Sequence, residues 1–141
     1  MNFRAIPASR RPNRWLICPP GFANREPDEV PPVYGVGADR LREQWSKLIR
    51  SQPRISIDRD EQDGMDLVQR TAILRFADDI GVAYVPLGPE RSSIALFSRS
   101  RIGYSDFGVN RRRLRGWIGA LNESLPVLRS VKDPKSVKDL A

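Results

Sequence analysis

The chain has 141 residues, 40% apolar and 29% charged, which suits one globular domain and excludes both a wholly disordered chain and two independent cores. Lys and Arg number 24 against 17 acids, a formal net charge of +7, so its surface favours anionic partners. There is no histidine and one cysteine, which excludes His-dependent triads, His/Cys zinc sites and an intrachain disulfide.

Residues 1–32 carry Pro7, Pro12, Pro19, Pro20, Pro27, Pro31 and Pro32, a spacing that forbids an ordinary helix and disfavours central strands. This stretch reads as an extended Pro-rich arm, disordered ahead of Arg14 and pinned to the domain by Trp15, Leu16, Ile17 and Phe22. Arg10, Arg11 and Arg14 before the run Trp15, Leu16, Ile17, Cys18 imitate a secretory leader, but the apolar part is too short for a hydrophobic region of roughly 7 to 15 residues. No apolar run approaches the roughly 18 residues of a membrane span, and the expected location is cytoplasmic.

Residues 33–36 read as a short strand. Leu41, Trp45, Leu48 and Ile49 recur at helical spacing, predicting a helix over 38–50 that closes before Pro53. Ile55 and Ile57 alternate with polar neighbours, which predicts a half-buried strand, and the acidic run 58–64 reads as a solvated hairpin loop. Over 67–76, Val68, Arg70, Ala72, Leu74 and Phe76 share one strand face, and after a turn at Asp78 and Asp79 the residues Ile80, Val82 and Tyr84 continue the pattern. The next strand spans 93–101. A last helix begins near Asp106 and runs to about Leu125, with Val109, Leu114, Trp117, Ile118, Leu121 and Leu125 on its apolar face; Gly116 and Gly119 each weaken it by about 1 kcal/mol relative to Ala.

The order β-α-β-β-β-β-α with short connections predicts an α+β two-layer sandwich. Its antiparallel sheet has four to five strands and both helices lie on one face. The domain occupies 33–126, after the arm 1–32 and before a flexible tail 127–141.

Chemistry concentrates where strand 94–101 meets the last helix. Period two places Ile94, Leu96, Ser98 and Ser100 on one side and Ala95, Phe97, Arg99 and Arg101 on the other. Two readings stand side by side. In one, Gly103, Asp106 and Gly108 form a structural latch, with Ser105 or Asp106 capping the helix and Asp106 pairing with Arg99 or Arg101. In the other, Arg70, Ser98, Arg99, Ser100, Arg101 and Asn110 bind a phosphate or carboxylate beside the helix start.

Arg70 lies on an otherwise apolar face and is expected to snorkel or to pair with Asp78, Asp79 or Asp106. Arg111, Arg112, Arg113 and Arg115 cover successive helical positions and read as a solvated face. The acids Asp58, Asp60, Glu61, Asp63 and Asp66 lack the glycine and glutamate register of a calcium loop. Ser98, Ser100 and Ser105 have no histidine to activate them, so no catalytic residue, metal or cofactor is assigned.

Three segments, CPPGF at 18–22, QRT at 69–71 and SRSRIGYSDFGVNRRR at 98–113, closely resemble the bacterial and plastid family DUF 1499, a domain of unknown function, over about Cys18 to Leu121. The resemblance implies that Gln69, Arg70 and Thr71 matter. Relatives with signal peptides or membrane segments make a periplasmic or membrane-associated location the alternative to the cytoplasm. Many members carry a second cysteine soon after the first; here Phe22, Ala23 and Asn24 follow instead, so no redox role is implied.

The function expected is that of a non-enzymatic domain binding an anionic small molecule or a protein partner near the segment SRSRIGYSDFGVN. The alternatives are a hydrolase or transferase acting on a phosphorylated substrate, with Arg70, Arg99 and Arg101 stabilising charge, and nucleic-acid binding through the basic surface.

Overall fold

The computed structural model describes residues 1–103 and 105–129. Seven strands form one antiparallel sheet: β1 (Arg14–Ile17), β2 (Val33–Tyr34), β3 (Ile55–Glu61), β4 (Gly64–Arg70), β5 (Ala77–Gly88), β6 (Arg91–Ser100) and β7 (Val127–Arg129). Their order is β3-β4-β5-β6-β2-β7, and β1 also pairs with β6. The helices are α1 (Ala38–Arg50) and α2 (Val109–Ser124). The α+β class and the central run of strands agree with the periodicity, while β1 and β7 enlarge the sheet beyond four or five strands.

Helix α1 has the limits that its spacing predicts. Leu41, Trp45 and Ile49 are buried on one stripe, while Arg42 and Arg50 on its outer side reach Asp60 of β3 at 3.4 and 2.9 Å. Helix α2 starts at Val109, later than expected, and buries Leu114, Trp117, Ile118 and Leu121. Trp45 and Trp117 meet edge to face with ring centroids 5.7 Å apart, and both helices share one core with Ile80, Val82, Ile94 and Leu96 of the sheet.

Strand β6 shows why both sheet faces are covered. Its even residues Ile94 and Leu96 enter the helix-side core, whereas its odd residues Ala95 and Phe97 join a second cluster with Phe3, Ile6, Leu16, Cys18 and Ala23. That cluster corrects the expectation of disorder ahead of Arg14. A 3-10 turn at Phe3–Ala5 buries Phe3, Asn24 exchanges hydrogen bonds with the Ile6 backbone, and the Met1 ammonium contacts Asp66 at 2.8 Å. Nor is the arm irregular throughout: β1 pairs Leu16 with Phe97 and Ile17 with Leu96.

Four further expectations change. Strand β3 runs through most of the acidic stretch to Glu61 and turns at Gln62 and Asp63, because Arg59 bridges Glu61, Asp63 and Asp66 at 3.1, 3.1 and 2.8 Å. Strand β4 ends at Arg70, and 71–76 is a loop closed by Thr71: its N–H donates to the Phe76 carbonyl and its Oγ1 accepts from the Phe76 N–H. Asp78 and Asp79 lie inside β5 rather than in a turn, each matched by an arginine on its own face. At the C-terminus Val127–Arg129 pairs with β2, so the expected flexible tail 127–141 begins as a strand; its remainder lies outside the described residues.

Candidate functional site

The two faces of the sheet divide the residues that the sequence groups together. Ser98 and Ser100 of β6 face the helices, where they meet Asn110 of α2. Ser98 and Asn110 are fully buried and hydrogen-bonded to each other through the Ser98 hydroxyl and Asn110 Oδ1, while Asn110 Nδ2 donates to the Asn13 carbonyl and to Ser100 Oγ, both at 3.0 Å. Arg70, Arg99 and Arg101 belong to the opposite face. The alternation of β6 that pairs the two arginines thus separates them from the serines.

The helix-side group is centred on Arg113, which corrects the reading of the arginine run as a solvated face. Its guanidinium is 8% exposed and pairs at 2.6 Å with Asp78, which is 3% exposed. It also donates to Gln69 Oε1 at 2.6 Å, Asn110 Oδ1 at 2.8 Å and Ser98 Oγ at 3.2 Å. Each of the three guanidinium nitrogens of this buried cation has an acceptor, the condition under which a buried ion pair is tolerated. A signal was present in the chain: Arg113 lies three residues after Asn110 and four before Trp117, on the stripe that α2 buries.

Asp106 joins this cluster to the loop before α2. Its carboxylate accepts from the Gly108 N–H at 2.8 Å and the Asn110 N–H at 3.0 Å, and it also receives Asn110 Nδ2. Gly103 and Gly108 have φ of +89° and +81°, backbone shapes that other residues adopt only under strain. Asp106 pairs with neither Arg99 nor Arg101; Asp79 takes Arg101 instead, in a bidentate contact at 2.9 and 3.0 Å that raises the Arg101 pKa.

The arm-side face gathers arginines at the same end of the sheet. Arg54, Arg70 and Arg101 form a cross-strand row about Ala77: the Arg70 N–H donates to the Arg54 carbonyl, the Arg101 N–H to the Ala77 carbonyl, and Arg70 is registered with Ala77. With Arg75 these residues line a cavity of about 380 Å³ in which Asp58 is the one acid. No acid lies within ion-pair distance of Arg70 among the described residues, correcting the expected pairing with Asp78, Asp79 or Asp106. Instead Arg70 Nη1 donates to the Arg75 carbonyl at 3.2 Å, and Arg54 Nε to the Arg70 carbonyl at 2.9 Å. Single bonds of this kind fix each guanidinium while leaving most of its five donors available.

Arg54 and Arg75 have φ of +58° and +59°, a left-handed conformation that is uncommon outside glycine and accumulates at functional sites. One row inward, Arg14 of β1 stands directly opposite Arg99 of β6, an unfavourable like-charge pairing. Burial and then the Arg99 charge lower the Arg14 pKa. Sequence reasoning singled out Arg70, Arg99 and Arg101 but not Arg54 or Arg75, which follow a proline and sit in a loop respectively and read as ordinary polar positions of an alternating pattern.

On the other side of loop 71–76 is an apolar groove of about 560 Å³, walled by that loop and by residues of the loop preceding α2, with Asp78, Ser100 and Asp106 at its polar margin. Both motif segments, QRT with the residues after it and SRSRIGYSDFGVN, therefore meet at one end of the sheet. No helix among the described residues is long and apolar enough to cross a membrane.

These features define an α+β domain whose twisted sheet is covered by two helices on one face and an N-terminal arm on the other, with an arginine-rich end. The family model described as "Protein of unknown function (DUF1499)" matches residues 13–121, and the chain belongs to that family. The match contains Asn13, Gln69, Asp78, Ser98, Asn110 and Arg113, the whole buried network. No curated protein and no solved structure matches the chain.

Proposed function

We propose that this domain is a non-enzymatic binding module that takes an anionic group, a phosphate or a carboxylate, in the pocket formed by Arg54, Arg70, Arg75 and Arg101. The observation that carries this reading is the concentration of four guanidiniums in one cavity against the single carboxylate of Asp58. Asp79 offsets the charge of Arg101, whereas Arg54, Arg70 and Arg75 have no ion pair among the described residues, and an anion making bidentate contacts to them would relieve their mutual repulsion. Asp79 orients Arg101, and Asp106 with Gly103 and Gly108 braces the adjoining loop. Ser98, Ser100 and Asn110 act from the opposite face, holding β6 and α2 together beneath the site rather than touching the ligand.

Thermal unfolding in the presence of inorganic phosphate, pyrophosphate, glycerol phosphate and simple carboxylates tests the proposal. A ligand at a hundred times its Kd adds about 2.7 kcal/mol, which is roughly 10 °C for a domain of this size. Arg70→Ala, an exposed position, should abolish the shift without lowering the melting midpoint of the free protein by more than about 2 °C. Stabilisation that survives Arg70→Ala and Arg54→Ala, or no shift with any anion, refutes it.

A further inference from the structure

Five of the large apolar side chains exposed among the described residues, Ile73, Leu74, Phe76, Ile102 and Phe107, project from two neighbouring loops at the arginine-rich end. Ile73 is 90% exposed and Phe107 87%, far from the single scattered hydrophobics of an ordinary surface. Phe107 is held there: it has φ +53°, its N–H donates to Ser105 Oγ at 3.2 Å, and its carbonyl accepts from Arg112 at 2.9 Å. A bulky aromatic kept in the left-handed region and turned to solvent is unfavourable for the isolated chain on both counts.

Charge surrounds this apolar tip. Arg54, Arg70, Arg75 and Arg101 lie on its sheet side, and Arg112 stands on its helix side, bonded to the Phe107 carbonyl. Residues adjacent in sequence divide the two roles, Arg75 beside Leu74 and Phe76, and Arg101 beside Ile102. Side chains long enough to stay in a headgroup layer thus flank side chains suited to the acyl boundary.

We infer that the tip formed by loop 71–76 and residues 101–103 and 105–108 docks on an anionic lipid bilayer, Ile73, Leu74, Ile102 and Phe107 entering the acyl boundary while the arginine pocket holds headgroup phosphates. The inference rests on the anion reading above and names the anion's source. Anionic headgroups complement the cations, and the apolar side chains supply the second signal that stable attachment to a bilayer requires.

The test is co-sedimentation of the full chain with vesicles of phosphatidylcholine alone and of phosphatidylcholine mixed with phosphatidylglycerol. Binding is expected to the mixed vesicles, to fall as salt is raised, and to weaken about tenfold or more in the double variant Ile73→Ser, Phe107→Ser. Both positions are exposed, and circular dichroism would verify that the variant is folded. Absence of binding to mixed vesicles, or equal binding by wild type and double variant, overturns the inference. If phosphate still stabilises wild type but not Arg70→Ala while vesicles are ignored, the bilayer docking fails and the anion pocket stands. If vesicles bind and the double variant does not, but phosphate never stabilises the protein and Arg70→Ala binds normally, the anion pocket fails and takes this inference with it. A concentration-dependent dimer abolished by Ile73→Ser, Phe107→Ser, without vesicle binding, overturns the inference in favour of a second copy of the chain.

Discussion

Replacing Arg113 with Met tests the network that holds β4, β5, β6 and α2 together. The substitution retains a long apolar stem but removes the charge and the four hydrogen bonds to Asp78, Gln69, Asn110 and Ser98. Asp78 is then a carboxylate at 3% exposure without its cation, and removing one partner of a buried pair costs about 3–5 kcal/mol. The three neutral acceptors add something, because a buried group that loses its partner costs about 1 kcal/mol or more, although water entering the vacated space would offset part of it. The expected loss is about 4–6 kcal/mol, a large share of the roughly 5–15 kcal/mol by which a domain is stable. Urea unfolding followed by the fluorescence of Trp45 and Trp117, which meet in the core, measures it; with a slope of about 2 kcal/mol/M, the midpoint should fall by about 2–3 M. The double variant Asp78→Leu, Arg113→Met removes both charges and should recover at least about 2 kcal/mol of the summed single losses. A loss below about 1 kcal/mol for Arg113→Met, or strict additivity in the double variant, would refute the assignment of this pair as the centre of a coupled buried network.

Asp106→Ala removes the acceptor for two backbone N–H groups at the start of α2 and for Asn110 Nδ2, and should lower stability by about 1–3 kcal/mol; an unchanged melting midpoint would count against its bracing role. Gly116 and Gly119 are exposed in α2 with no atom within 4 Å of a built Cβ, so each Gly→Ala change should raise stability by about 0.5–1 kcal/mol, read as higher melting midpoints, and a decrease would show that the outer side of α2 is more closely packed than it is in the structure. Cys18 is fully buried, and burial, only partly offset by a backbone hydrogen bond from Ala23, pushes its thiol up from 9.0 to about 11. Because the folded value is the higher, its contribution to stability is complete below the unfolded value and is lost as pH rises through about 11; at pH 8 native protein should label with a thiol reagent only as fast as it unfolds, whereas immediate stoichiometric labelling would contradict the burial.

Much of the framework was legible in the chain. The stripe Leu41, Trp45, Ile49 defines α1, and the alternation of Ile94, Leu96 and Ser98 with Ala95, Phe97 and Arg99 defines both faces of β6, because these periods are properties of the local backbone. The loop 71–76 misled for the same reason. Ala72, Leu74 and Phe76 alternate like a strand, yet they are exposed, and Thr71 closing on Phe76 ends the ladder at Arg70.

The sequence by itself determined both helices, the central run of strands, the basic balance and the two motif segments, whose residue types announce turns, caps and cations. Only the tertiary structure decided which arginine is buried and which are presented. Arg111, Arg112 and Arg113 are chemically identical, and the burial of Arg113 depends on an aspartate 35 residues away in β5. Likewise Arg54, Arg70, Arg75 and Arg101 converge because three strand ends and a loop meet at one end of the sheet. Local periodicity specifies the face on which a side chain lies, but partners and pockets arise from pairing between distant strands, which local patterns do not encode.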